Sequence, residues 1–405
     1  MAVRAKVMSG TAEKGNKEPL SLWSRDFILI CIHNIIVFVC YQMLISTVPI
    51  YVNELGGSDA VVGLATACFM VAALLMRPWV GRGLDLYGRT GIWFTGAVIF
   101  ALLGMVYNWA VTIPLLMVCR AVHGASWSVV TTASATAATD LIPPARRGEG
   151  MGFFGLGNNV GMAIGPALGF VIIAASGFGA LFWSSAALSL LALLLIFAIR
   201  LPCINEDHSG AAPAFWEPTA LKPSLLMFFA AFIYSGVLTF IALYSAELGL
   251  SDPWYFFTVY AVTIILIRPL AGFLFDRCGQ QAVIAPGFLL LGTGMIILSC
   301  ATGLTSFLLA AILTGMGFGT LHPSLQALAV AVCAPNRRGA AQATFAVAFD
   351  IGMGGGALAL GLVARFGGYS GAYLVSGVIA LIGLFVYRLI GLKVEVNNRG
   401  NQASK

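Results

Sequence analysis

Apolar positions in this chain fall into long unbroken runs, not into the alternating or striped patterns of a water-facing surface. Val61 to Met76, Gly91 to Met117 and Ala282 to Leu321 contain no Asp, Glu, Lys or Arg. A helix needs roughly 20 such residues to cross the hydrocarbon of a bilayer, so the longer runs must be divided at their Gly, Pro and Asn punctuation. Division there predicts twelve helices, near 27–52, 60–80, 90–109, 112–137, 150–175, 178–199, 223–246, 253–274, 281–301, 304–332, 341–364 and 370–390. The expected fold class is an all-α polytopic membrane protein with twelve transmembrane helices.

Composition agrees. Of 405 residues, 59% are hydrophobic and 9% charged, with a mean hydropathy of +0.93, whereas a soluble domain carries about 25% charged residues. The first 26 residues are polar and of mixed charge, which reads as a tail and not as a secretory leader. Eight cysteines are scattered without a C-x-x-C pair, so neither a disulfide frame nor a metal site is expected, and no cofactor.

The net charge of +6 changes meaning once the charges are placed. With the N-terminus inside, alternate loops hold Arg82 and Arg89, Arg146 and Arg147, Arg200 and Lys222, Arg277, and Arg337 and Arg338. The opposite loops hold Arg365 and the acids Glu54, Asp59, Glu247 and Asp252. That asymmetry is the positive-inside rule with both termini cytoplasmic, and it points to a bilayer partner and away from nucleic acid.

The chain also repeats itself. Arg77-Pro78, Gly81, Asp85 and Gly88 match Arg268-Pro269, Gly272, Asp276 and Gly279 at an offset of 191 residues. Pro144, Arg146-Arg147-Gly148 and Gly161 match Pro335, Arg337-Arg338-Gly339 and Gly352 at the same offset, and residues 51–59 match 244–252 at 193. The expectation is two parallel six-helix repeats, 1–199 and 223–405, joined by a polar cytoplasmic linker at 200–222.

These residues resemble the major facilitator superfamily, over essentially the whole chain. The family's loop motif G-x-L-x-D-R-x-G-R is matched by Gly81, Asp85, Gly88 and Arg89, with Gly83 and Leu86 departing from it. The second copy keeps Gly272, Leu274, Asp276, Arg277 and Gly279 and ends in Gln280. Arg120, His123 and Gly124 stand where many family exporters carry R-x-x-Q-G. Gly161, Gly165, Pro166 and Gly169 match the G-x-x-x-G-P-x-x-G of the antiporter branch. The resemblance implies an exporter similar to the bacterial drug:proton antiporters, multi-pass in the inner membrane and monomeric, with the loop motif acting as a cytoplasmic latch.

The residues themselves add physical content. A charge at the centre of a membrane helix costs roughly 2.5–3.5 kcal/mol on insertion scales, so it usually faces a cavity or a partner. Asp350 is the one acid inside a predicted span, and Arg120 lies at comparable depth; these two are the candidates for proton coupling. Burial favours the neutral carboxyl and a nearby arginine the ionised one, so its proton can follow the opening of a cavity. A static structural pair is the competing reading. Arg77 and Arg268 lie about one turn from a loop and are expected to snorkel outward.

Asn34, Tyr41 and Gln42 can share a face of the first helix, and Tyr41 corresponds to Tyr234 at an offset of 193. With His123, Asn158 and Asn159, the last aligned with Asp350 at 191, they are the candidate cavity residues, although core packing explains each one singly. The glycines at 157, 161, 165 and 169 recur every four residues and predict a close helix–helix seam. The function expected is proton-coupled efflux of small amphipathic molecules. A sugar or metal-chelating metabolite exporter, an importer or uniporter, and a non-transporting receptor are the alternatives. No nucleotide-binding loop or nucleophile–base arrangement points to an enzyme.

Overall fold

The computed structural model describes residues 22–143, 146–201, 217–250, 253–334 and 337–391. The side chains at positions 85, 159 and 276, and most of the linker at 200–222, lie outside the described residues.

Among the described residues the chain forms ten long helices: α1 (Arg25–Glu54), α2 (Asp59–Tyr87), α3 (Arg89–Val106), α4 (Ile113–Leu141), α5 (Arg147–Ala198), α6 (Leu221–Glu247), α7 (Trp254–Cys278), α8 (Gln281–Ser299), α9 (Leu304–Ala331) and α10 (Arg338–Ile390). All ten are long and apolar enough to cross a membrane. The expectation of twelve helices in two six-helix repeats is thereby corrected to ten. Its error lies at Ser176-Gly177 and Gly367-Gly368, read from sequence as turns. There the helix continues through a kink, with only Gly177 (φ 77°) and Gly368 (φ 68°) outside helical geometry. Glycine has no Cβ to oppose a positive φ, so one residue bends the chain without a loop.

Local chemistry explains the other boundaries. The Ser24 hydroxyl accepts the Phe27 amide at 3.2 Å and starts α1. Pro114 sits in the first turn of α4, where its missing N–H goes unneeded. Large apolar side chains such as Leu75, Trp79, Phe197, Leu266 and Phe385 are more than 60% exposed on the outer faces of their helices. Arg120, His33, His123, Gln42 and Asp350 are buried within the bundle. An apolar exterior around a partly polar interior is the arrangement that lipid demands, because hydrocarbon cannot satisfy exposed polar groups.

Two seams position the interior. The first joins α5 to α1 through the glycine stripe. A Cβ at Gly157 would lie 2.6 Å from Asn34 Nδ2, at Gly161 2.7 Å from the Phe38 backbone, at Gly165 2.5 Å from Gln42 Cβ and at Gly169 2.9 Å from Met43 Cγ. Gly352 and Gly356 on α10 meet α6 in the same way, 2.6 Å from the Phe228 carbonyl and 2.4 Å from Ser235 Oγ.

The second seam runs between α2 and α10. At one end the Tyr369 hydroxyl donates to Asp59 at 2.6 Å. Next, Gly361 faces the Asp59 carbonyl, and a Cβ on Gly63 would lie 2.2 Å from the Ala357 carbonyl oxygen. Further along, Gly354 meets Met70, and the seam ends where Arg77 meets Asp350. Beyond Arg77, Gly81 and Gly88 have no neighbour within 4 Å of a would-be Cβ.

Outside the spans, Glu217 ties the start of α6 to α10. Its amide donates to Thr344 Oγ1 at 3.0 Å, and its carboxylate pairs with Arg337 and accepts the Thr219 hydroxyl at 2.7 Å. The carboxyl is covered by these partners, yet it sits at the periphery of the molecule. The Thr219 hydroxyl, and then Arg337, hold it below the usual carboxylate range. A depressed folded-state value stabilises above the unfolded value and is lost as pH falls through the folded one. Glu217→Gln is therefore expected to lower the thermal midpoint at pH 6. The gap to the unaltered chain should close as the pH drops below the ordinary carboxylate value; a gap constant from pH 3 to 6 would dismiss the charge as its source.

Candidate functional site

Helix α10 brings Asp350, 5% exposed, against α2. Arg77, which the sequence reading sends toward the membrane surface, instead donates through Nε at 2.8 Å and approaches through Nη2 at 2.6 Å, both to Asp350 Oδ2. The Arg77 side chain stays 22% exposed and that of Asp350 6%. Two N–H groups directed at one carboxylate make a charge-assisted contact between helices 273 residues apart in sequence.

Arg120 is not the partner of Asp350. Only 1% exposed on α4, it donates to the Ala65 carbonyl at 3.2 Å and lies 4.5 Å from the centre of the Phe69 ring. A desolvated guanidinium over an aromatic face is held by the ring quadrupole. His123, one turn on, shares a hydrogen bond of 3.0 Å with the Tyr107 hydroxyl through Nδ1, and its Nε2 is buried without a partner.

Tyr41 stands between these groups, within electrostatic reach of Asp350, Tyr234, Arg120 and Arg77. Its ring stacks on Trp127 at 4.1 Å and packs against Phe69 at 5.4 Å. A second stack is likewise built from three rings around a tyrosine: Tyr234 lies on Phe318 at 4.2 Å and beside Tyr260 at 6.2 Å. Phe318 and Tyr260 are offset by 191 residues from Trp127 and Phe69, so the sequence duplication reappears as two aromatic stacks. Gln42 is 1% exposed, with its carbonyl oxygen unpaired; the Tyr234 hydroxyl lies near it without a hydrogen bond of ordinary geometry.

The remaining candidates divide. Asn34 donates to the Phe154 carbonyl at 2.9 Å and so fastens α1 to α5. Asn158 is half-buried on α5. Arg89 pairs with Asp140 at the other end of α4, while Arg277 lies over the Phe273 ring at 4.5 Å. Gly272 has no neighbour within 4 Å of a would-be Cβ, and Gly279 (φ 79°) closes α7. Sequence reasoning missed Tyr260 and Phe318, and undervalued Arg77 and Arg268. The 191-residue offset was the available signal for Tyr260 and Phe318, since both align with ring-bearing residues of the first copy.

Two surface grooves, about 440 Å³ at Leu362, Val363, Phe366 and Gly367 and about 350 Å³ between α2, α3 and α4, are lined almost wholly by apolar, outward-facing residues. Neither offers charge to a solute. The polar centre built by α1, α2, α4, α6, α7, α9 and α10 does, and ionisable groups inside an apolar shell mark a candidate solute or proton pathway.

Profile comparison agrees with that reading. The Major Facilitator Superfamily profile matches residues 30–257 and again 254–405, and the chain belongs to this family. It is 23% identical over 346 residues to an uncharacterized MFS-type transporter of Methanocaldococcus jannaschii, covering 82% of this chain and 89% of that protein. To the staphylopine export protein of Staphylococcus aureus it is 20% identical over 361 residues, covering 83% and 88%. The fold matches a bacterial homologue of the human lysosomal transporter Spinster, in its inward-facing, occupied conformation, with a TM-score of 0.74 at 16% identity over 90% of this chain and 95% of that one. The protein is a multi-pass membrane transporter of small molecules and not an enzyme.

Proposed function

We propose that the transporter exports small amphipathic molecules in exchange for protons, from a bacterial inner membrane with both termini cytoplasmic. The observation that carries this reading is the Arg77–Asp350 pair at the α2–α10 seam. While Asp350 is ionised the pair holds the seam shut. A proton on the carboxyl removes its negative charge, weakens the attraction to Arg77 and loosens the seam. The parts that move are the segments 1–199 and 223–405. The positive-inside pattern puts Asp59 outside and Arg77 nearer the cytoplasm. The tight seam from Asp59 to Arg77 then supports a state with the outer side shut. Export is what the name of the S. aureus relative states of that protein, and the glycine motif at 161–169 points the same way.

The test uses purified protein in vesicles with an imposed pH gradient and a panel of amphipathic cations, sugars, amino-acid-derived chelators and aromatic acids. Solute-triggered proton movement supports exchange. Solute flux that ignores the gradient supports the uniporter alternative and overturns proton coupling. In the same assay Asp85→Asn, at the proposed latch, is expected to reduce turnover about tenfold, equivalent to ~1.4 kcal/mol, with membrane insertion unchanged. Unaltered turnover would make that motif a solvated turn.

A further inference from the structure

The two arginines that correspond in the duplicated sequence meet different fates. Arg77 has a carboxylate. Among the described residues, Arg268 on α7 has Nε and Nη2 buried with no hydrogen-bond partner, and Asp350, the acid that serves Arg77, is replaced at the corresponding sequence position on α5 by Asn159. The titratable groups that act on Arg268 are the Tyr260 and Tyr234 hydroxyls, and Arg268 in turn acts on His322. No carboxylate of the described residues is among them. The Tyr260 hydroxyl and Nδ1 of His322 are likewise buried and unpartnered among the described residues, and the Tyr234 hydroxyl, near the Gln42 amide, makes no hydrogen bond of ordinary geometry.

Unsatisfied buried groups are few in native proteins, because each costs about 1–3 kcal/mol and more when charged. Here four side chains leave five such atoms in one neighbourhood, joined by stacking from Tyr260 to Tyr234, Phe318 and His322 over ring separations of 6.2, 4.2 and 5.7 Å. All four side chains can donate a hydrogen bond. Nε and Nη2 form the side of the guanidinium that engages a carboxylate in a two-pronged contact. One positive charge with added neutral donors balances one negative charge, which favours a carboxylate over a doubly charged phosphate. The flat stacked rings offer an apolar platform beside it.

We infer that Arg268, with Tyr234, Tyr260 and His322, is the subsite for the carboxylate of a transported organic anion, which occupies toward Arg268 the place that Asp350 occupies toward Arg77. The inference rests on the reading of the polar centre as the solute site, and it needs no proton coupling. It is tested at equilibrium, without a gradient, by titrating the purified full-length chain with aromatic monocarboxylates and with the uncharged carboxamide of each. The carboxylates should bind at least tenfold more tightly than their amides. Arg268→Gln should abolish that preference, Arg268→Lys should retain part of it, and Tyr260→Phe, which deletes one hydroxyl, should weaken carboxylate binding several-fold. The equilibrium titration carries no gradient, so loss of the preference reports on this subsite alone, whereas loss of proton movement in vesicles reports on the coupling mechanism. If Arg268→Gln does not fold, the lysine and phenylalanine variants give the reading. Equal binding of acids and amides, no binding by any acid, or a preference undiminished in Arg268→Gln, Arg268→Lys and Tyr260→Phe overturns the assignment.

Discussion

Asp350→Asn is expected to reduce solute-driven proton movement at least 100-fold, equivalent to ~2.7 kcal/mol of lost coupling, while solute still binds. The amide keeps the shape of the acid and can still accept from Arg77 Nε, but it cannot take up or release a proton. It also leaves the Arg77 charge uncompensated. Breaking a fully buried pair costs about 3–5 kcal/mol, and the loss should be smaller here because Arg77 is 22% exposed and keeps some hydration. These two consequences separate in the double variant Arg77→Gln/Asp350→Asn. Removing both charges should restore thermal stability most of the way, and coupling should stay lost. Proton movement that returns with stability would make the pair a structural clamp. Unaltered coupling in Asp350→Asn alone would remove the acid from the mechanism. Vesicle proton flux and thermal unfolding of the same preparations provide both readings.

Two glycine substitutions should have opposite consequences although both are sterically severe. A Cβ at Gly124 would lie 2.0 Å from the Phe69 carbonyl oxygen, and one at Gly63 2.2 Å from that of Ala357. Gly124 sits where α4 packs on α2, helices of the same proposed moving part. Gly124→Ala has no alternative packing to adopt, and overpacking of this kind costs about 1–3 kcal/mol. Its signature is a lower unfolding midpoint. Gly63 faces α10 across the seam that must open for transport. Gly63→Ala can relieve its clash by parting the seam, so the strain becomes a shift of population: each ~1.4 kcal/mol moves the balance tenfold toward the parted state. Turnover should fall at least tenfold with little change in unfolding midpoint. In a chain cleared of native cysteines, spin labels at Ser58→Cys and Phe366→Cys should move apart when Gly63→Ala is added. Unchanged label distances with normal turnover would show that the α2–α10 seam does not gate transport.

Much of this protein was legible in one dimension because membrane insertion is itself a one-dimensional filter. Run length and the placement of Arg and Lys carried the class and the proposed orientation. The single embedded acid singled out Asp350, and four-residue glycine spacing anticipated the α5–α1 seam. The kinks at Gly177 and Gly368 were misread as loops because positive φ at one glycine and a true turn leave the same mark in sequence. Asn34 shares the α1 face with Gln42 and looked like a cavity residue, yet it is spent on the Phe154 carbonyl. Periodicity states which face a residue occupies, not whether a neighbouring backbone already satisfies it.

What the sequence determined alone was a lipid-soluble bundle with duplicated motifs and few interior charges, since hydropathy and charge are sums over residues that need no coordinates. The partners of those charges were decided only in three dimensions. Arg77 and Arg268 align with each other and share the following proline and the glycines and acid of one motif, but a carboxylate meets one and buried hydroxyls lie near the other. An ion pair depends on angstroms between helices far apart in the chain, and helix packing, not local sequence, sets that separation.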